Sequence, residues 1–213
     1  MNTIEETKSS ETIEYASGDL HVLPLHGAVD GECTCGKPEC DSAGKHPISQ
    51  LVPQGQKDAT ADPNTVCGWW EAYPDANVGI ACTEASGLLV IDVDPRHGGD
   101  KSYDGLRAEY ELPPTWTVRT GGGGWHLYFR HPGGAVRSAL PGEYPGIDVK
   151  GNGYVVAPPS VHASGKAYEW EVHPDDAPLA EVPDWLFKLI EKPEGTEKTS
   201  QVVDGYAELG LTP

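Results

Sequence analysis

The chain has 213 residues, 38% of them hydrophobic, and its 26 glycines and 19 prolines indicate one turn-rich globular domain that is large enough for a substantial core. No segment approaches the roughly 20 apolar residues that span a bilayer, and the acidic N-terminus lacks the basic start and apolar centre of a signal peptide. We therefore expect a soluble, cytoplasmic protein with no membrane partner, and its formal net charge of −18 argues against tight binding of nucleic acid by this chain alone.

The first half of the chain mixes helix and strand signals. Residues 1–10 are expected to be disordered, residues 11–16 to begin a short helix, and residues 20–25 to form a strand. Asp62 followed by Pro63 predicts the start of a helix that continues over residues 66–73.

The second half is richer in strands. Residues 78–81 and 87–92 are predicted to be paired strands joined by a turn, and residues 101–111 a helix that ends before two prolines. The remaining predicted elements are strands over residues 115–120, 126–130, 147–150, 154–157 and 167–171, and a helix over residues 183–191. The fold class is therefore α+β.

Three of the five cysteines cluster in a Gly- and Pro-rich insertion after the first strand. Cys33, Cys35, Cys40 and His46 lie within fourteen residues. An odd number of cysteines in a cytosolic protein favours metal ligation over a disulfide framework, and thiolate and imidazole ligands suit Zn²⁺. Four protein ligands predict a closed, structural zinc site, and the alternative is a reduced loop without metal.

Two carboxylates, Asp92 and Asp94, end the apolar run at residues 88–93. Residues two apart on a strand share a face, so both side chains project in the same direction. Two anions this close repel each other unless a divalent cation lies between them and another negative group, such as a nucleotide triphosphate. With Asp148 in the segment GIDVKG as a third candidate, the acids predict a site for Mg²⁺ or Mn²⁺. A strand end with solvated acids is the alternative.

Four consecutive glycines, residues 121–124, separate Arg119 and Thr120 from Trp125 and His126. Glycine has no side chain, so backbone amides can approach an anion there and the loop can close on it. Arg119 can make a forked contact to phosphate, and Lys150 can add a point charge. Trp125 is a candidate for contact with a base or sugar. A glycine run also fits a hairpin turn, and Lys150 could instead neutralise the acids.

These segments together resemble the primase-polymerase (prim-pol) branch of the archaeo-eukaryotic primase superfamily, the domain found at the N-terminus of phage and plasmid replication proteins. The resemblance runs from about Tyr15 to Leu189, and it rests on the Cys-rich segment ending GKHP, the Trp69-Trp70 pair, NVGI, the DVD acids, the glycine run with its histidine, GIDVKG and APPS. It implies a two-module archaeo-eukaryotic primase fold with an RNA-recognition-motif-like catalytic sheet and a small zinc-binding loop insertion.

The resemblance also implies an activity, that of a DNA primase/DNA polymerase that makes primers and extends them on a single-stranded DNA template in phage or plasmid replication. Asp92, Asp94 and Asp148 would hold Mg²⁺ or Mn²⁺ in a two-metal nucleotidyl transfer, and His126 would contact the triphosphate of the dNTP or NTP. The other expected nucleotide contacts are Arg119, Thr120, Gly123, Gly124, Lys150 and Ser160.

The expected domain organisation has three parts. Residues 1–14 form a flexible acidic N-terminus, residues 15–192 the primase-polymerase domain with its zinc-binding insertion at residues 31–47, and residues 193–213 a linker toward a downstream helicase or primer-binding domain. Two rival functions remain open. One is a metal-dependent nuclease or phosphohydrolase, which needs similar carboxylates but no template, and the other is a non-catalytic zinc-bearing module that binds nucleotide or DNA.

Overall fold

The structure is a computed structural model that describes residues 3–192, with side chains from residue 8 onward. Its helices are α1 (Thr3–Ser17), α2 (Pro63–Ala72), α3 (Gly99–Glu109) and α4 (Asp184–Ile190). Its strands are β1 (Val22–Leu25), β2 (Ala28–Val29), β3 (Glu32–Cys33), β4 (Asn77–Cys82), β5 (Leu88–Val93), β6 (Thr117–Arg119), β7 (Trp125–Arg130), β8 (Ile147–Lys150), β9 (Gly153–Ala157) and β10 (Glu169–Val172). The mixed α+β class is confirmed, and the predicted tail at residues 193–213 lies outside the described residues.

A three-stranded antiparallel sheet in the order β1–β4–β9 forms one layer. All six residues of β4 are buried because strands pair with it on both sides and helices cover it. Val66 and Trp70 of α2 pack against Val78 and Ile80 of β4. The predicted start of α2 is confirmed, since the Asp62 carboxylate accepts hydrogen bonds from the first-turn amides, including that of Thr65 at 3.1 Å.

A five-stranded antiparallel sheet in the order β10–β6–β7–β5–β8 forms the second layer. Strand alternation divides β5 between two environments. Leu89, Ile91 and Val93 lie on the face that α3 and α4 cover. They share a core cluster with Leu106, Leu186 and Ile190 of those helices. The inner residue Val90 of β5 packs with residues of both sheets in a third core cluster. Asp92 follows Val90 on this inner face, so the carboxylate lies where the two layers meet.

The prediction that residues 78–81 and 87–92 form paired strands is wrong. β4 pairs with β1 and β9, whereas β5 pairs with β7 and β8 in the other sheet. Both strands are buried, so each needs a hydrogen-bonded strand on both of its edges. Strands that are more distant in the sequence supply these hydrogen bonds. The short turn at residues 83–87 carries the chain from one sheet to the other, and Gly87 in it adopts a left-handed φ of 68°.

Two local features also differ from the sequence-based expectations. Helix α1 begins at Thr3, so the expected disorder of residues 1–10 and the helix start at residue 11 are wrong for the described part of that segment. Burial of Lys8 and Thr12 gives the helix tertiary support that its polar sequence does not reveal. Within the Cys-rich insertion, β2 and β3 form a hairpin whose turn residues Asp30 and Gly31 both have positive φ. An Asp-Gly pair is a known signal for such a turn.

Candidate active site

Three of the predicted site residues are cross-strand neighbours. Asp92 of β5 is paired with His126 of β7 on one side and with Asp148 of β8 on the other. Cross-strand partners project to the same face, so all three side chains face inward. His126 Nε2 lies 3.5 Å from Asp92 Oδ1, and Lys150 Nζ lies 2.7 Å from Asp148 Oδ2 and 3.9 Å from Asp92 Oδ2. Four residues separated by up to 58 positions therefore form one row, with Lys150 bridging the two carboxylates.

Burial and hydrogen bonding act in opposite directions on Asp92. Burial raises the pKa of its carboxyl group, but the hydrogen bond and charge of His126, together with Lys150, outweigh burial and lower the pKa below its usual value. The carboxylate is therefore ionised at neutral pH and available as an oxygen ligand. On the neighbouring strand, the buried His126 Nδ1 has no hydrogen-bond partner within the part of the chain that the structure describes.

Asp94 stands just past the end of β5, where it caps the 3₁₀ helix Pro95–His97. Arg96 donates to both carboxylate oxygens, from Nε at 3.0 Å and from Nη2 at 2.7 Å, and His97 Nδ1 lies 3.1 Å from Oδ2. This forked contact holds the pKa of Asp94 well below its usual range. The turn beyond it is tight, because a Cβ atom at Gly99 would lie 2.7 Å from the Asp94 carbonyl oxygen. The backbone that carries Asp94 is thus closely packed.

A cavity of about 240 Å³ opens beside these acids. Asp92, Asp94 and His126 line it together with three cations, Lys45, Arg96 and Lys150. Its wall includes Tyr168, which is 4% exposed, and Tyr154. A concave site that presents both carboxylates and cations can bind an anion through its cations and a divalent metal through its acids.

The glycine run forms an ordered turn between β6 and β7. The Thr120 amide donates to the Gly124 carbonyl at 3.0 Å, and the Gly124 amide donates to Thr120 Oγ1 at 3.0 Å. Thr120 and Gly122 line the cavity. Gly124 instead meets a packing requirement, because a Cβ atom there would overlap the Val93 carbonyl oxygen and lie 2.9 Å from Pro95 Cδ. Gly124 was expected to contact an anion. In the structure it instead allows the start of β7 to lie close to the end of β5.

Arg119 and Trp125 lie on the opposite face of the sheet from Asp92. They are cross-strand partners, and the Arg119 guanidinium carbon lies 4.3 Å from the centroid of the Trp125 ring. Trp125 Nε1 donates to Glu171 at 3.2 Å. Strand alternation explains this placement, because Val118 and His126 face inward, so the next residue of β6 and the preceding residue of β7 must face outward. The expected nucleotide contacts of Arg119 and Trp125 are therefore not supported by the geometry.

Ser160 is also placed away from the cavity. Its side chain is completely buried, and its Oγ accepts a hydrogen bond from the Val78 amide at 2.8 Å. The hydroxyl joins the segment after β9 to β4. The structure therefore gives Ser160 a role in holding the fold, in place of the expected nucleotide contact.

Two cations of the cavity, Lys45 and Arg96, lie outside the predicted set of site residues. Arg96 follows the second acid of the DVD motif by two positions, and a tight turn folds it back onto that acid. Lys45 precedes the metal-ligand candidate His46, a position from which it could reach phosphate, although an exposed surface lysine is the default interpretation from sequence. Tyr168 was likewise not predicted to line the site, because an aromatic residue at the start of a strand more often indicates core packing.

The four predicted zinc ligands come together in the insertion. The Sγ atoms of Cys33, Cys35 and Cys40 and the ligand nitrogen of His46 all lie within 4.8 Å of one another. His46 Nε2 is 3.4 Å from Cys33 Sγ and 3.5 Å from Cys40 Sγ. Tetrahedral Zn–S and Zn–N bonds of ~2.3 and ~2.0 Å place such pairs ~3.5 Å apart, so the cluster fits Zn²⁺. A hydrogen bond from the Lys37 backbone is the leading cause that lowers the pKa of Cys35 to about 6, which favours the thiolate that a metal needs.

None of the helices within residues 3–192 is long and apolar enough to cross a membrane. A comparison with curated proteins gave no match. The family model described as "Bifunctional DNA primase/polymerase, N-terminal" matches residues 12–185, which is most of the chain.

Proposed function

This chain belongs to the bifunctional DNA primase/polymerase N-terminal family, and we propose that it synthesises primers and extends them on a single-stranded DNA template. Family membership implies a metal-dependent nucleotidyltransferase whose substrates are DNA and nucleotides. We further propose which residues of the chain bind metal ions and nucleotide, and how they do so.

The observation that carries this proposal is the row of inward-facing side chains at the cavity. Asp92 lies between His126 and Asp148 through strand pairing, and Asp94 extends the row at the end of β5. A nuclease could use similar acids, but the family match and the three cations beside the acids favour a site that receives a nucleoside triphosphate.

Asp92, Asp94 and Asp148 would hold Mg²⁺ or Mn²⁺. Carboxylate oxygens are the ligands these ions prefer, and the side chains are 27%, 25% and 53% exposed, so each can be reached from the cavity or from solvent. When bound, such ions stabilise the charge on the attacking and leaving oxygens of nucleotidyl transfer.

The chain's own residues bind and orient the nucleotide. Lys150 and Arg96, which now neutralise Asp148 and Asp94, can instead pair with phosphate oxygens when the acids take up metal. His126 lies beside Asp92 and provides a hydrogen-bonding group at the base of the cavity. Tyr168 closes one wall with an apolar ring, which excludes water from the phosphates.

We also propose roles for the two sheets, for the cysteine cluster and for the chain beyond the catalytic site. The five-stranded sheet serves as the RNA-recognition-motif-like catalytic module and the three-stranded sheet with α1 and α2 belongs to the second module. The Cys33, Cys35, Cys40 and His46 cluster holds a structural Zn²⁺. Residues 15–192 act as the primase-polymerase domain in the cytoplasm of a bacterial host, in phage or plasmid replication. Residues 193–213 then lead to a helicase or primer-binding domain.

Extension of a labelled primer on a single-stranded template tests the proposal directly. With Mg²⁺ or Mn²⁺ and dNTPs, the protein should lengthen the primer, and Asp92→Asn should lower the rate by about 100-fold or more, because the charge that binds the metal is lost. Asp104→Asn, which changes an exposed acid on α3, is the matched control and should keep the wild-type rate.

Other outcomes would reject the proposal. Shortening of the oligonucleotide without extension would identify a nuclease. Binding of dNTPs that survives Asp92→Asn, with no turnover by either protein, would identify a binding module.

A further inference from the structure

We infer that the zinc-binding segment also holds Lys45 in the active-site cavity as a ligand for the triphosphate of the incoming nucleotide. Occupancy of the zinc site would therefore set the affinity for nucleotide. The inference rests on the proposed function, because it assigns the recognition of the same substrate to a residue outside the catalytic sheet.

Lys45 has the surroundings of a group that awaits an anionic ligand. Its side chain is half-buried and lines the cavity with Asp92, Asp94 and Arg96. Among the described side chains, its ammonium group makes no salt bridge, whereas Arg96 and Lys150 are each paired with a carboxylate. The carboxylates of Asp92 and Asp94 lie in the same cavity but beyond salt-bridge distance, so they compensate only in part for the hydration that Lys45 loses, and a phosphate oxygen would give it a close anionic partner.

Hydrogen bonds fix the backbone of Lys45 at three consecutive carbonyls. The Gly44 carbonyl accepts from Asn77 Nδ2 at 2.9 Å, the Lys45 carbonyl from Tyr154 Oη at 3.1 Å, and the His46 carbonyl from the His26 amide at 2.8 Å. Asn77 belongs to β4 and Tyr154 to β9, so these contacts tie the segment to the three-stranded sheet. The lysine is thereby carried to the cavity by a sheet that contains none of the three acids.

The zinc cluster completes this support from the other side. His46 is the residue after Lys45, and its ring lies against Cys33 and Cys40 at hydrogen-bonding distance. A metal held by those ligands fixes the His46 ring and with it the peptide bond that joins His46 to Lys45. Without metal the three thiols and the ring lose their common partner, and the backbone on one side of Lys45 is held by hydrogen bonds alone.

Binding of dGTP in Mg²⁺ without primer or template tests the inference, since no turnover is then possible. Lys45→Met keeps the aliphatic stem and removes the charge, and it should weaken dGTP binding by about tenfold in isothermal titration calorimetry. Lys57→Met makes the same change at an exposed lysine outside both the zinc-binding segment and the cavity, and it should leave the affinity unchanged. Thermal unfolding of both variants verifies that they remain folded.

Removal of zinc is the second test of the inference. Treatment with 1,10-phenanthroline, with residual zinc measured by atomic absorption, should weaken dGTP binding by the wild-type protein about tenfold. The same treatment of Lys45→Met should cause a change of less than about twofold, because the contact that zinc supports is already gone.

Two results would overturn the inference. One is equal dGTP affinity of Lys45→Met and Lys57→Met. The other is a loss on zinc removal that is as large in Lys45→Met as in wild type, which would mean that zinc acts by another route. Failure of the proposed function looks different, because the wild-type protein itself would then not extend a primer, whatever its dGTP affinity.

Discussion

Gly124→Ala should destabilise the protein strongly although it adds a single methyl group. The Cβ atom would overlap the Val93 carbonyl oxygen and lie 2.9 Å from Pro95 Cδ and 3.1 Å from the Val93 carbonyl carbon. Carbon atoms in proteins approach one another to about 3.5–4.0 Å, so the start of β7 would have to move away from the end of β5. Because the conflict is with backbone and a proline ring, no side-chain rotation can relieve it.

The magnitude follows from the cost of overpacking. Insertion of a methyl group into a closely packed site costs about 1–3 kcal/mol, and the rigid neighbours put Gly124→Ala at the upper end, about 2–3 kcal/mol. For a domain of this size that loss corresponds to a fall in melting temperature of roughly 4–12 °C. Since β5 and β7 carry Asp92 and His126, the rate of primer extension should fall as well.

Urea unfolding followed by tryptophan fluorescence measures the change in the free energy of unfolding. Gly122→Ala is the matched control, because its nearest atom, Thr120 Oγ1, lies at 3.7 Å, an ordinary contact distance. Gly122→Ala should stay within about 0.5 kcal/mol of wild type. If Gly124→Ala were as stable as Gly122→Ala, the close approach of β7 to β5 would be refuted. The presence of four consecutive glycines would then have to be explained by a need for loop motion.

Three further results are expected at residues outside the cavity. Ser160→Ala should lower the free energy of unfolding by about 1–2 kcal/mol, because the buried Val78 amide loses its acceptor, while dGTP affinity measured by calorimetry stays unchanged. Arg119→Ala should lower the free energy of unfolding in urea by about 0.5–1 kcal/mol, because the contact with Trp125 is lost, and it should leave dGTP affinity unchanged. A tenfold loss of dGTP affinity in Ser160→Ala or in Arg119→Ala would show that the substituted residue does belong to the nucleotide site. Cys40→Ser should lower the zinc content measured by atomic absorption and reduce the melting temperature by several degrees, and full retention of zinc would contradict the ligand set.

The acids of the site could be predicted because their signal is local. Asp92 and Asp94 follow an apolar run at a spacing of two, which is enough to place both carboxylates at one strand end. The zinc ligands are likewise confined to fourteen residues, and the structure brings those four groups together. The approach of Asp148 to Asp92 depends on the pairing of β8 with β5, which the sequence alone does not state.

The errors arose where the face of a strand or the choice of a strand partner mattered. Arg119 is a single position out of phase with the inner face of β6, so a residue of suitable chemistry points the wrong way. Likewise β4 and β5 are neighbours in sequence, yet burial of both runs requires partners from other parts of the chain. A phosphate contact of Lys45 could be suggested from its place beside His46, but its position in the cavity depends on hydrogen bonds of this segment to Asn77 and Tyr154, which are 32 and 109 residues away.

The acids and Lys45 approach the cavity from different layers of the molecule. Asp92 and Asp148 belong to one sheet, whereas the backbone of Lys45 is fastened to the other through Asn77 and Tyr154. The width of the cleft is therefore governed by the apolar seam between the layers, where Val90 and Leu25 share a cluster. Changes in the bulk of these hidden residues would open or narrow the cleft without altering any group that touches the substrate, and substrate preference could be adjusted from there.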